Sequence, residues 1–141
     1  ARKGAGLWLL VLRLETLEPL FSACYDTHHD SAAARRLAGD MEAHALERGD
    51  GLGPERVLVA VLSQYAWEGY FNSPDLCERM ARCGAKLDRL LEAQRSSASW
   101  VSGAHSQPYV LLGVPGGRGG LRFAAEAWSP NDKTHVAEVE V

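Results

Sequence analysis

Apolar positions along the chain fall into two regimes, with a break near residue 108. Before it, most apolar side chains recur at three- and four-residue spacing, the period of a helix buried on one side. After it, apolar and polar residues alternate, the period of a strand. The stretch with the clearest start and stop is Pro54–Phe71. Gly53 suits an N-cap, Pro54 the first helical position, and Glu55 the positive end of a helix dipole. Val57 to Leu62, then Tyr65, Ala66, Trp67, Tyr70 and Phe71, place apolar groups on nearly every face. That pattern predicts a buried central helix, ended by Asn72-Ser73-Pro74. The β-branched valines suit a strand as well, and length decides for the helix.

The remaining elements follow in order. Leu7–Leu14 has both alternating sets apolar, which predicts a strand covered on both faces; a helix running on through Glu18 is the alternative. Leu17–His29 carries Leu17, Leu20, Phe21, Cys24 and His28 on one helical stripe. Asp30 or Ser31 caps a further helix, Ala32–Arg48, with the stripe Ala34, Leu37, Ala38, Met41 and Ala45; Gly49-Asp50-Gly51 stops it. Ser73-Pro74-Asp75 opens the longest predicted helix, to about Arg95, with Gly84 inside it. Ser96–Gln107 is a polar connection. Tyr109–Val114, Leu121–Trp128 and His135–Val141 then predict a three-stranded antiparallel meander, joined by the Pro115–Gly120 and Ser129–Asp132 turns.

The predicted class is therefore α+β. About four helices, one of them central and buried, pack on a small antiparallel C-terminal sheet that the N-terminal strand is free to join. The helical part spans about 15–97 and the meander about 107–141, in a single domain over residues 1–141.

Composition narrows this picture only a little. A net charge of -3 over 141 residues, with signs mixed, gives no pull toward nucleic acid or an anionic membrane. Three cysteines without a framework spacing favour free thiols in a reducing compartment, an intracellular, cytoplasmic setting with the nucleus left open. Leu7–Leu12, after Arg2 and Lys3, is too short for a signal segment and is interrupted by Arg13 and Glu15. No stretch approaches the ~20 apolar residues of a membrane span. The first residue is not Met, as expected of a piece trimmed from a longer chain.

Candidate chemistry is sparse. Cys24-Tyr25-Asp26-Thr27-His28-His29-Asp30 is the densest set of possible ligands. On a helix, Cys24 and His28 would lie one turn apart, as two metal ligands or as a thiolate–imidazole pair. A second ligand pair is missing, because Cys77 and Cys83 are six apart. The plainer reading is a core thiol and a helix-ending histidine, with no cofactor or metal expected. Gly113–Gly120 is glycine-rich but lacks the Gly-Lys-Ser/Thr ending and a following helix, so it reads as a hairpin turn with Arg118 exposed. Tyr65, Trp67, Tyr70 and Phe71 are expected in a core, or around a small-molecule pocket.

These features predict a non-catalytic protein-interaction domain, an adaptor or scaffold. Its contact surface would be the last strand of the meander, where an edge offers unpaired backbone groups to a partner or to a second copy. The residues expected to form it are His135, Val136, Glu138 and Glu140 of that strand, with Arg118 of the nearby turn. A small thiol- or metal-dependent enzyme using Cys24 and His28, and a small-molecule-binding regulatory domain, are the rival readings.

Overall fold

A computed structural model of the chain describes residues 5–47, 56–86, 88, 91, 108–115 and 121–128. Its framework is a sheet. Strands β1 (Gly6–Arg13), β2 (Pro19–Tyr25), β3 (Val57–Gln64), β4 (Tyr109–Pro115) and β5 (Leu121–Trp128) pair in the order β2-β1-β3-β4-β5, every pair antiparallel. Two α-helices are described, α1 (Ala33–Met41), which runs on into a π-helical turn at Glu42–Leu46, and α2 (Pro74–Arg82).

This overturns the expectation of about four helices on a small sheet. The fold is α+β in a loose sense, but mostly sheet, with no helical bundle among the described residues. The predicted central helix is strand β3 followed by an irregular loop. Val57, Val59 and Val61 point to the core at 0 % exposure, while Leu58, Ala60 and Leu62 point to the other face. The three valines are β-branched and pack well on a pleated surface. The predicted helix Leu17–His29 is the edge strand β2. Pro19 opens it at a place where no ladder donor is needed. Phe21, Ala23 and Tyr25 face inward across from Val11, Leu9 and Leu7. The N-terminal strand does join the sheet, as β1, in an interior position between β2 and β3.

Both helices lie on one face of the sheet. Leu7, Leu9, Val11, Val59, Val61 and Leu111 form one side of the core; Leu37 and Met41 of α1 and Leu76 and Met80 of α2 form the other. α1 starts where Asp30 folds back, its Oδ1 accepting the Ala32 N–H at 2.9 Å. α2 starts as the sequence suggests, with Ser73 extended, Pro74 in the first turn and Asp75 beside it. It stops far short of Arg95. Gly84, at φ +105, sits just past the end; its N–H reaches Ala81 O, and the N–H of Ala85 reaches Met80 O. These two bonds close the helix as a Schellman motif, so Gly84 terminates the helix instead of interrupting it. Glu42 joins the two helical segments, accepting from Arg82 Nη1 at 2.9 Å and lying 3.5 Å from Arg79 Nε.

The two faces of β3 differ in what truncation should cost. Val61→Ala should lose about 2 kcal/mol, because it uncovers a fully buried side chain. Leu62→Ala should lose less than about 1 kcal/mol, its side chain being 37 % exposed. Urea unfolding of the two variants measures the difference, and equal losses would contradict the assigned faces.

Candidate functional site

The sheet brings two loops together that lie about 40 residues apart in sequence. β2 ends at Tyr25 and β3 at Gln64, on either side of β1, with Leu7 opposite both Tyr25 and Ser63. The chain leaving β2 (residues 26–32) and the chain leaving β3 (residues 65–73) therefore meet at one end of the sheet. Three hydrogen bonds lock them. The Tyr70 N–H donates to Thr27 O at 2.6 Å, the buried Thr27 hydroxyl donates to Trp67 O at 2.7 Å, and the Gly69 N–H donates to His28 Nδ1 at 3.0 Å. Gly69 lies so close to the His28 carbonyl that no Cβ could be accommodated there.

Beneath the loops, Trp67 is fully buried. Its ring lies 4.9 Å from that of Phe71 and 5.4 Å from that of Tyr109, both tilted. These are favourable offsets for aromatic pairs. Tyr109 in turn donates to Glu126 Oε2 at 2.5 Å, and Glu126 Oε1 accepts the Lys86 N–H at 3.1 Å. Burial, reinforced by that carboxylate, raises the Tyr109 phenol well above its ordinary range. Tyr25 is also raised, first by burial and then by its bond to Asp40 on α1. Glu68, 3 % exposed, turns a carboxylate oxygen onto the Trp67 N–H at 2.9 Å.

Above this base stand the exposed groups. Tyr65 is 51 % exposed and Tyr70 53 %. Tyr65 holds φ 55, in the left-handed region that costs a bulky residue free energy. His29 Nδ1 lies 3.1 and 3.2 Å from the two oxygens of Asp26, and the rings of His28 and His29 meet edge to face at 4.7 Å. Burial alone would raise the Asp26 carboxyl, but the backbone and ring of His29 outweigh it and hold it below the usual range. Asp30 is held low by Arg36, whose Nη2 donates at 2.6 Å.

The sequence-derived candidates fare unevenly. Cys24 lies in a strand, so the one-turn spacing to His28 does not arise. Its Sγ contacts Ala5 O at 3.8 Å, while His28 engages Gly69. Burial raises the Cys24 and Cys77 thiols and pushes Cys83 up to about 12, away from the thiolate that a nucleophile needs. No group of three or more potential metal ligands occurs among the described residues. Trp67 and Phe71 are core, as weighed; Tyr65 and Tyr70 are surface. Arg118, His135, Val136, Glu138 and Glu140 lie outside the described residues, as does the predicted strand that carries four of them. The pairing of His28 with Gly69 is not legible from local spacing, since only the β2-β1-β3 order brings them together. A trace of it existed in the turn residues that follow each strand: Asp26 to Asp30, and Glu68-Gly69.

No helix among the described residues is long and apolar enough to cross a membrane. No protein-family model matches the chain, and no curated protein matches it.

Proposed function

We propose that this chain is a non-catalytic protein-interaction domain, with the tyrosine loop at residues 65–73 as its contact surface. One observation carries the reading. Tyr65 and Tyr70 are half exposed on a loop fastened to its neighbour by three hydrogen bonds and wedged from below by Trp67. Exposed tyrosines on a fixed backbone offer large contact area at small entropic cost, and aromatic residues of this kind are enriched at the centres of protein interfaces. Strained backbone at Tyr65 is of the kind that collects at functional sites. Asp26 and His28 flank Thr27, whose carbonyl accepts the Tyr70 N–H, and add polar groups on the facing loop. The raised thiols weigh against the thiol-enzyme alternative.

Affinity capture followed by photocrosslinking from position 65 or 70 tests the reading. Tyr65→Ser with Tyr70→Ser should cut recovery of the crosslinked partner, or of a second copy of the chain, by at least about tenfold, the effect of losing about 1.4 kcal/mol of binding. Arg35→Ala, at an exposed position on α1, should leave recovery unchanged. Equal recovery with the double variant and wild type would move the contact surface elsewhere.

A further inference from the structure

We propose that His28 is a pH-sensitive latch on the tyrosine loop: protonation of its imidazole frees the Gly69 amide and loosens the corner that carries Tyr70. The functional importance of the latch rests on the reading of that loop as the contact surface.

The argument begins with what a backbone N–H can do. It can only donate, so the 3.0 Å contact from Gly69 requires a bare lone pair on His28 Nδ1. The ring is thereby neutral, with its proton on Nε2. Imidazole changes charge within the physiological pH range, and the imidazolium carries a proton on both nitrogens. Two donors would then face each other at the Gly69 contact. Turning the ring does not restore the bond, because neither nitrogen accepts any longer. Nor is there slack to move inward, since Gly69 already lies against the His28 carbonyl. His28 is only half-buried, so the ring swings out or the corner moves away from it, and in either case the Gly69 amide is left to water. The bonds from Tyr70 N–H to Thr27 O and from Thr27 Oγ1 to Trp67 O remain, so the change is local.

The charged neighbours are arranged so that none substitutes for the lost bond. On its own loop, Asp26 is engaged by His29, and Asp30 by Arg36 of α1. On the facing loop, Glu68 directs an oxygen to the Trp67 N–H.

The test uses the full chain labelled with ¹⁵N. Ring-nitrogen spectra at pH 8 should show Nδ1 of His28 unprotonated. Amide exchange at Gly69, corrected for its intrinsic pH dependence, should accelerate about tenfold between pH 8 and pH 5, the loss expected for one net hydrogen bond. His28→Asn places a non-titrating amide oxygen near the position of Nδ1 and should keep Gly69 protected at both pH values. The proposal is overturned by a protonated Nδ1 at pH 8, by unchanged wild-type protection at pH 5, or by an acid response in His28→Asn equal to that of wild type. These measurements read the loop and not a partner, so they stand or fall separately from the capture experiment.

Discussion

Alanine at position 113 is expected to destabilise the protein by about 3 kcal/mol or more, near the upper end for overpacking a core. Gly113 lies on β4, on the face that the helices cover, opposite Val59. The end of α2 passes directly over it, and a Cβ there would lie inside contact distance of the Cys83 carbonyl oxygen. Backbone stands on both sides of that contact. Neither side can turn a rotamer to relieve it, so β4 would have to part from the Schellman turn that closes α2. Alanine at position 39 is the counter-case. Gly39 lies inside α1, is exposed, and has nothing within 4 Å of a prospective Cβ. Gly39→Ala should therefore stabilise by up to about 1 kcal/mol through helix propensity alone. Urea midpoints that shift in opposite directions would establish that the first effect is steric. A Gly113→Ala protein as stable as wild type would mean that α2 does not seat on β4 at this point.

Trp67→Ala should cost about 3–5 kcal/mol, as large aromatic truncations in cores do. The indole fills the space between Phe71 and Tyr109, at 0 % exposure. Its loss leaves a cavity under the tyrosine loop that the surroundings close only in part. Trp8 is the control. It lies half-buried on the opposite face of the sheet, its Nε1 donating to Gln64 at 2.6 Å. Trp8→Phe should cost less than about 1.5 kcal/mol, because the ring is half-buried and the one hydrogen bond lost is to an exposed glutamine. Chemical denaturation followed by circular dichroism compares the two. A loss below about 1 kcal/mol at Trp67 would contradict its role as the wedge beneath the loop.

Much of the fold was legible, but not its proportions. β1 is readable because both of its alternating sets are apolar, and α2 because Ser73-Pro74-Asp75 is a specific start. The same two-sided argument applies to β3, where Val57, Val59 and Val61 form one face and Leu58, Ala60 and Leu62 the other. It was masked by the aromatics after Gln64, which lengthen the apolar stretch to helical size although they belong to a loop. β2 was misread for a different reason. Leu17, Leu20, Phe21, Cys24 and His28 satisfy a helical stripe by spacing, yet alternate residues of β2 are divided between the two faces of the sheet. Local spacing does not distinguish these outcomes; the availability of β1 as a pairing partner does. The candidate site is less legible still. Its defining contact joins residues 28 and 69, and it exists only because β1 separates the strands that lead to them.

The strand order carries a consequence for assembly. β1 and β2 form a hairpin from adjacent sequence; β3 then joins the free side of β1, β4 that of β3 and β5 that of β4. Among the described strands none has to be inserted between two that are already paired. A sheet with this order grows in one direction as the ribosome delivers it, and a pairing once made is never undone to admit a later strand. The slow steps are the arrival of β4 at β3 and, before it, that of β3 at β1; each closes the long connection that follows the preceding strand, after Gln64 and after Tyr25, before any contact repays the entropy. Until β3 arrives the unpaired side of β1, rich in leucine, is the adhesive surface of the nascent chain, and β3 is the strand that retires it.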